Sequence, residues 1–303
     1  MIYHLFANRS NIGDWLSAKG IQQLLLGETI EECLCDEPFI DETMAHLSKA
    51  APDDLIVIGG GGLFMDYFTP FWTRFDEGAI EAPFCLWGVG CCDWKRRPSL
   101  GPKALLKKIV GSSRLCVVRD RLTRDYLADC SLPDPVPCPS MIALEQPPER
   151  TRGILHVDNF TIAGETVYHA MDACARKFAE RTGRPCRQTN NRIEPGGEAA
   201  LAAILRRYRE ADIVLSSALH GCIIAVSMGK KIIAVSGDRK IEGFMQAAGL
   251  SDWVLDIEQV CRLPDLFEDL AGQPIPAAFV VTAREQNRAV AASIRSYHLA
   301  GSA

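Results

Sequence analysis

Short apolar runs that each break off into glycine or a polar residue, then lead into a stretch with helical spacing, recur along the whole chain. IYHLFA (2–7), LIVIG (55–59), FCLWGVG (84–90) and LCVVRD (115–120) set the pattern in the first half. GILHVDN (153–159), DIVLSS (212–217), KIIAVSG (231–237) and WVLD (253–256) repeat it in the second. A short continuous apolar run reads as a strand buried on both faces, and strand–helix alternation lays such strands side by side in a parallel sheet. The expected fold is therefore α/β, with two doubly wound, Rossmann-like domains facing a cleft. Ligands belong where strand C-termini hand over to helix N-termini.

A chain of 303 residues is long for one core and fits two domains. Between the two sets of strands, residues 131–153 (SLPDPVPCPSMIALEQPPERTRG) hold six of the 17 prolines, a density that reads as an interdomain linker. The expected division is an N-terminal domain over 1–138, a C-terminal domain over 139–278 and a closing helix over 279–303. In that helix Val290, Ile294 and Tyr297 share one face by spacing.

Hydrophobic residues at 48% and charged residues at 23% argue against disorder. A net charge of −5 offers no general attraction for nucleic acid or an anionic bilayer. The N-terminus MIYHLFANRSNIGD lacks the basic-then-apolar pattern of a secretory signal, so a cytoplasmic location is expected. Twelve cysteines contain no CxxC pair, which speaks against a zinc ribbon or a thioredoxin-type site and for reduced thiols acting as small apolar groups.

Four stretches carry chemistry. NIGDW (11–15) follows the first strand, where Asn11 or Ser10 can cap a helix beginning near Asp14 and Gly13 allows a tight turn or close approach to a ligand. GGGGLF (59–64) follows the second run, and the bare amides of Gly60, Gly61 and Gly62 could form an anion-binding nest; the stretch is neither a Walker loop nor GxGxxG. VVRDRLT (117–123) places Arg119 at a strand end, suited to a bidentate grip on a carboxylate or phosphate, or else to an ion pair with Asp120. SSALHG (216–221) puts Ser217, Leu219, His220 and Gly221 at a helix N-terminus, whose free amides and dipole attract anions while the imidazole offers a proton. SGDRK (236–240) adds Lys240 from the next strand end.

In order and spacing, SNIGDW, DLIVIGGGGLF, WGVG, VVRDRLTRDYL, LPDP and ADIVLSSALHGCIIAVSMGKKIIAVSGDRKIEGFMQAAGL resemble the polysaccharide pyruvyl transferases over residues 1–250. The resemblance implies a GT-B-like fold whose C-terminal segment crosses back to the first domain. It also implies pyruvyl transfer from phosphoenolpyruvate to two hydroxyls of a sugar or oligosaccharide, such as a lipid-linked polysaccharide precursor, giving a cyclic ketal. Arg119 would hold the donor anion, Leu219 would offer its amide, His220 would be the general acid, and Lys240 would add a second anion contact. The acceptor side would fall to the N-terminal domain and the donor side to the C-terminal one. Asp14 is the candidate acceptor base. Neither a metal nor a further cofactor is expected. Trp87, Trp94, Lys95 and Arg96 fall in or beside WGVGCCDWKRRP and read as acceptor contacts or as a plain loop. The basic stretches KRRP (95–98) and KALLKK (103–108) could give peripheral contact with a membrane face. Two other readings share the fold: a glycosyltransferase using a nucleotide-activated sugar, and a relative that binds without turnover.

Overall fold

The computed structural model describes residues 1–145, 151–159, 163–193 and 197–301. The first half contains β1 (Ile2–Phe6), α1 (Ile12–Leu24), β2 (Ile30–Leu34), α2 (Ile40–Leu47), β3 (Leu55–Gly61), α3 (Thr69–Glu77), β4 (Phe84–Val89), α4 (Lys103–Ser112), β5 (Leu115–Val118) and α5 (Arg121–Tyr126). The second contains β6 (Ile154–Val157), α6 (Glu165–Thr182), β7 (Cys186–Thr189), α7 (Glu198–Glu210), β8 (Ile213–Ser216), α8 (Leu219–Ser227), β9 (Lys231–Ser236), α9 (Arg239–Ala247), β10 (Val254–Asp256) and α10 (Leu263–Asp269). The chain closes with α11 (Ala277–Gly301).

Each half forms one five-stranded sheet, ordered β2-β1-β3-β4-β5 and β10-β9-β8-β6-β7, with every pairing parallel. The α/β expectation holds. Continuous apolar runs mark the central strands and also the edge strands β5 and β10; the other two edges, β2 and β7, which the apolar pattern does not reveal, have the sequences IEECL and CRQT. A partly solvated edge strand can carry charges and lose the apolar signature.

Three apolar clusters organise the core. One fills a face of the first sheet, and a second joins Ile2, Val57, Cys85 and Trp87 on its other face to Val290, Ala291 and Ile294 of α11. Helix α11 thus crosses back to the first sheet, where Trp87 Nε1 donates to Asn287 Oδ1 at 3.0 Å and Asn287 Nδ2 donates to Pro137 O at 2.8 Å. Tyr297 is 37% exposed, so the buried face of this helix runs through Ala291 instead. Ala291 stands three residues before Ile294, on the same face.

The third cluster is the core of the second half, and it takes in Ile12, Trp15 and Leu16 of α1 together with Cys138, Met141 and Leu144. Part of the proline-rich span is therefore packed rather than a free linker. Pro139 starts a short 3-10 turn against α1, and a Cβ at Gly20 would stand 2.0 Å from its carbonyl oxygen. Residues 146–150 of that span lie outside the described residues. Among the described residues no helix is long and apolar enough to cross a membrane.

Candidate active site

The strand ends of both sheets converge on a cavity of about 280 Å³ between the halves. Asn11, Asp14, Gly62, Trp94 and Arg119 line it from one side, and Leu219, His220 and Lys240 from the other. The local sequence explains each placement. Asn11 Oδ1 accepts from Gly13 N at 2.9 Å, capping α1 and turning Asp14 inward. Asp120 caps α5, accepting from Thr123 N at 2.8 Å, and its other oxygen accepts from Arg119 Nε at 3.1 Å. One carboxylate thus ends the strand turn and aims the guanidinium.

Helix α8 begins at Leu219, so the first-turn amides at the Leu219–Gly221 end have no intrahelical acceptor. With Ala218, Leu219 and His220 on the cavity wall, that helix end turns unpaired amides, of the kind that attract anions, toward the cavity. Lys240 follows β9 in the first turn of α9, whose cap is Asp238; its Nζ lies 2.8 Å from Asp238 Oδ2 and donates to Cys92 Sγ at 2.8 Å.

Glycines set the close approaches. A Cβ on Gly13 would stand 1.9 Å from His220 Nδ1, and one on Gly90 would stand 2.3 Å from Arg119 Nε. The imidazole and the guanidinium occupy the space that those two residues leave open. The GGGG run does something other than form a nest. Gly60 and Gly61 lie inside the β3 ladder at positive φ, and Cβ atoms there would meet Ser17 Cβ at 2.4 Å and Asp14 Oδ1 at 2.3 Å. They let α1 lie directly on β3, which delivers Asp14; of the three predicted glycines only Gly62 lines the cavity.

Two further predicted contacts prove to be supports. Ser217 is fully buried, and its Oγ accepts from Asn159 N at 2.7 Å. A Cβ on Gly221 would stand 2.1 Å from Ser216 Oγ, so that glycine packs α8 onto β8. Trp87 is buried within β4 and faces α11 rather than an acceptor. Lys95 pairs with Glu242 and Asp256, and Arg96 with Glu258 at 3.3 Å. These residues clamp the 91–97 loop of the first half onto the second. Two cysteines that composition alone gave no reason to single out touch the site: Cys92, beside Lys240, and Cys138, whose Sγ lies 3.7 Å from His220 Nε2.

Burial and charge tune the titrating groups. Burial pushes Asp14 up to about 7, with Arg119 opposing, Asp36 adding to the rise and Lys240 opposing. Burial also drives His220 well below its ordinary value, and the nearby charges of Arg119 and Lys240 push the same way. Burial disfavours charge on Arg119 and Lys240 too, yet Asp120 beside the one and Cys92 and Asp238 beside the other outweigh it and hold both cationic. The cavity thus brings together two fixed cations, a neutral imidazole and a carboxyl pushed up to about 7.

A sequence model of the polysaccharide pyruvyl transferases matches residues 11–239, from the cap of α1 to the start of α9. The chain belongs to the polysaccharide pyruvyl transferase family. Every residue placed on the cavity wall above falls within the matched span except Lys240, which follows it directly. No curated protein sequence matches the chain significantly. Among solved structures, S. aureus MnaA in its complex with UDP superposes with a TM-score of 0.55 at 9% identity, covering 90% of this chain and 88% of that one. A functionally uncharacterised protein from Klebsiella pneumoniae gives 0.54 at 12% identity, covering 84% and 91%. A UDP-N-acetylglucosamine 2-epimerase, so described provisionally, from Listeria monocytogenes gives 0.51 at 11% identity, covering 93% and 90%. At such identities the likeness is one of fold, and the fold is GT-B-like.

Proposed function

We propose that this family member transfers a pyruvyl group from phosphoenolpyruvate to two hydroxyls of one sugar, forming a cyclic ketal. The observation that carries the reading is the convergence of Arg119, Lys240 and the free end of α8 around His220 in one cavity. Phosphoenolpyruvate is a small, multiply charged anion, and fixed cations with helix amides are complementary to its phosphate and carboxylate.

In the reaction the donor's methylene carbon takes a proton from His220 and becomes a methyl group, leaving an oxocarbenium-like carbon. A sugar hydroxyl attacks that carbon and gives up its proton. Loss of phosphate and attack by the second hydroxyl, again with loss of a proton, close the ketal. Arg119, Lys240 and the α8 amides stabilise the phosphate as it leaves. Asp14, with a carboxyl pushed up to about 7, is suited to take the hydroxyl proton, since a general base works best near the ambient pH.

The depressed basicity of His220 demands that its proton arrive with the donor. Burial is the main cause of that depression and Arg119 and Lys240 add to it; an anion between them offsets their share and adds its own attraction for a charged imidazole. Donor binding therefore shifts His220 toward the charged acid. The acceptor meets the enzyme as a free or lipid-linked saccharide; Lys103 and Lys107 already pair with Asp129, and Lys108 with Asp76, so the α4 lysines carry little free charge for a membrane.

Calorimetric titration with phosphoenolpyruvate and with UDP-glucose, on wild type and Arg119→Ala, tests the reading. Binding of phosphoenolpyruvate that is lost or greatly weakened in the variant supports it. Selective binding of UDP-glucose would replace it with nucleotide-sugar transfer.

A further inference from the structure

Three buried polar atoms of residues lining this cavity have no partner: Trp94 Nε1, Asp158 Oδ1 and Asn191 Nδ2. They come from three separate elements, the 91–97 loop, the turn after β6 and the turn after β7. A buried polar group left unpaired is costly, and such groups cluster in native proteins where something binds. None of the three is used by the chemistry around Arg119, Lys240 and His220.

Each is also held in place. Asn191 is 6% exposed and sits at φ 60°, a left-handed conformation uncommon outside glycine. Its Oδ1 accepts from the buried hydroxyl of Tyr208 at 2.8 Å, which leaves Nδ2 as the free end of the amide. Its carbonyl accepts from Ile12 N at 3.1 Å, tying this turn to the start of α1 and so to Asp14. Asp158 donates its backbone N–H to Thr189 O at 2.9 Å, and its neighbour Asn159 is anchored by Ser217. Trp94 has Arg97 stacked over its ring at 4.1 Å and donates its backbone N–H to Ser99 Oγ at 2.8 Å. Burial raises the Asp158 carboxyl above its ordinary value, consistent with a group that lacks a partner.

We propose that Trp94, Asp158 and Asn191 form the acceptor subsite, holding the ring hydroxyls of a pyranose. The proposal rests on the pyruvyl-transfer reading of the same cavity. Two orphaned donors and one orphaned acceptor suit hydroxyls, because each hydroxyl both gives and takes a hydrogen bond. A phosphate or carboxylate would be repelled by Asp158 and is already served by Arg119 and Lys240. The acceptor then rests largely on the second half of the chain, with Trp94 reaching over from the first, and its reactive hydroxyls turned to Asp14. This departs from an acceptor side confined to the N-terminal domain.

The test is saturation-transfer NMR on the full chain with phosphoenolpyruvate present, using methyl β-D-galactoside, methyl α-D-mannoside and methyl β-D-glucoside as probes. Trp94→Phe keeps the ring but removes the donor, Asn191→Asp keeps the Tyr208 bond, and Asp158→Asn replaces the acceptor in place. The expected result is transfer to at least one sugar in wild type. Its affinity should fall about fivefold or more in each variant, the loss of one hydrogen bond, while phosphoenolpyruvate affinity changes by less than about twofold. No transfer to any of the three sugars, or transfer that none of the substitutions weakens, overturns the subsite. Calorimetry of phosphoenolpyruvate on the same wild-type sample reports separately on the donor reading, so either can fail alone.

Discussion

At the scale of single residues, the proposed pyruvyl transfer would use Asp14 as a base stronger than an ordinary carboxylate and His220 as an acid that gains its charge with the donor. His220→Ala should keep donor binding and lower turnover by about two decades or more, as removal of a general acid does, which steady-state kinetics with matched donor affinity would show. Asp14 carries a stability cost that can be measured. Its carboxyl is raised in the folded protein from 3.8 to about 7, so the folded state binds that proton more tightly than the unfolded chain. Stability on this account is greatest below pH 3.8 and is lost as pH rises through about 7. Asp14→Asn should therefore raise the melting temperature at pH 8 relative to wild type, show little such gain near pH 4, and lower activity. Equal stabilisation at both pH values would contradict the assignment.

At the scale of elements, glycines decide which helices may touch which strands. Gly13→Ala should leave the sheets intact but displace the imidazole, since the new Cβ would stand 1.9 Å from His220 Nδ1. Turnover should fall with circular dichroism unchanged, and near-native turnover would show that the ring need not sit where it does. The central strands and the turns that bear Arg119, His220 and Lys240 were legible in the sequence, because a strand buried on both faces leaves an apolar run and its end is where ligands go. Edge strands β2 and β7 were not, and with β7 went the Asn191 turn, since IEECL and CRQT carry charged and polar residues where the other strands carry apolar runs. The glycine run misled for a related reason. Sequence shows that side chains are missing but not what fills the space, and at Gly60 and Gly61 that filler is α1 rather than a ligand.

At the scale of the whole molecule, the halves are joined by more than a covalent linker. Helix α1 lies in the core of the second half, α11 in that of the first, and Lys95 spans the cleft to Glu242 and Asp256. Truncating Ile294 to Ala should cost about 2–5 kcal/mol, the usual range for a fully buried aliphatic side chain, measured by urea unfolding. Lys95→Met should loosen the clamp, raising the Michaelis constant for the donor more than it lowers turnover. Equal effects on both would argue that the clamp acts on the chemistry instead. The proline-rich span was legible as the place where the halves meet, but not as packed structure, because its burial depends on Gly20 and Gly88 far away in sequence.

The central claim is that an anion held between Arg119 and Lys240 turns a neutral His220 into the acid. Calorimetric titration of phosphoenolpyruvate at pH 8 in two buffers of different ionisation enthalpy counts the protons taken up on binding. Run on wild type and His220→Gln, it should show uptake in the wild type that is clearly smaller in the variant. Donor binding with the same proton count in both would contradict the account, and so would no donor binding at all.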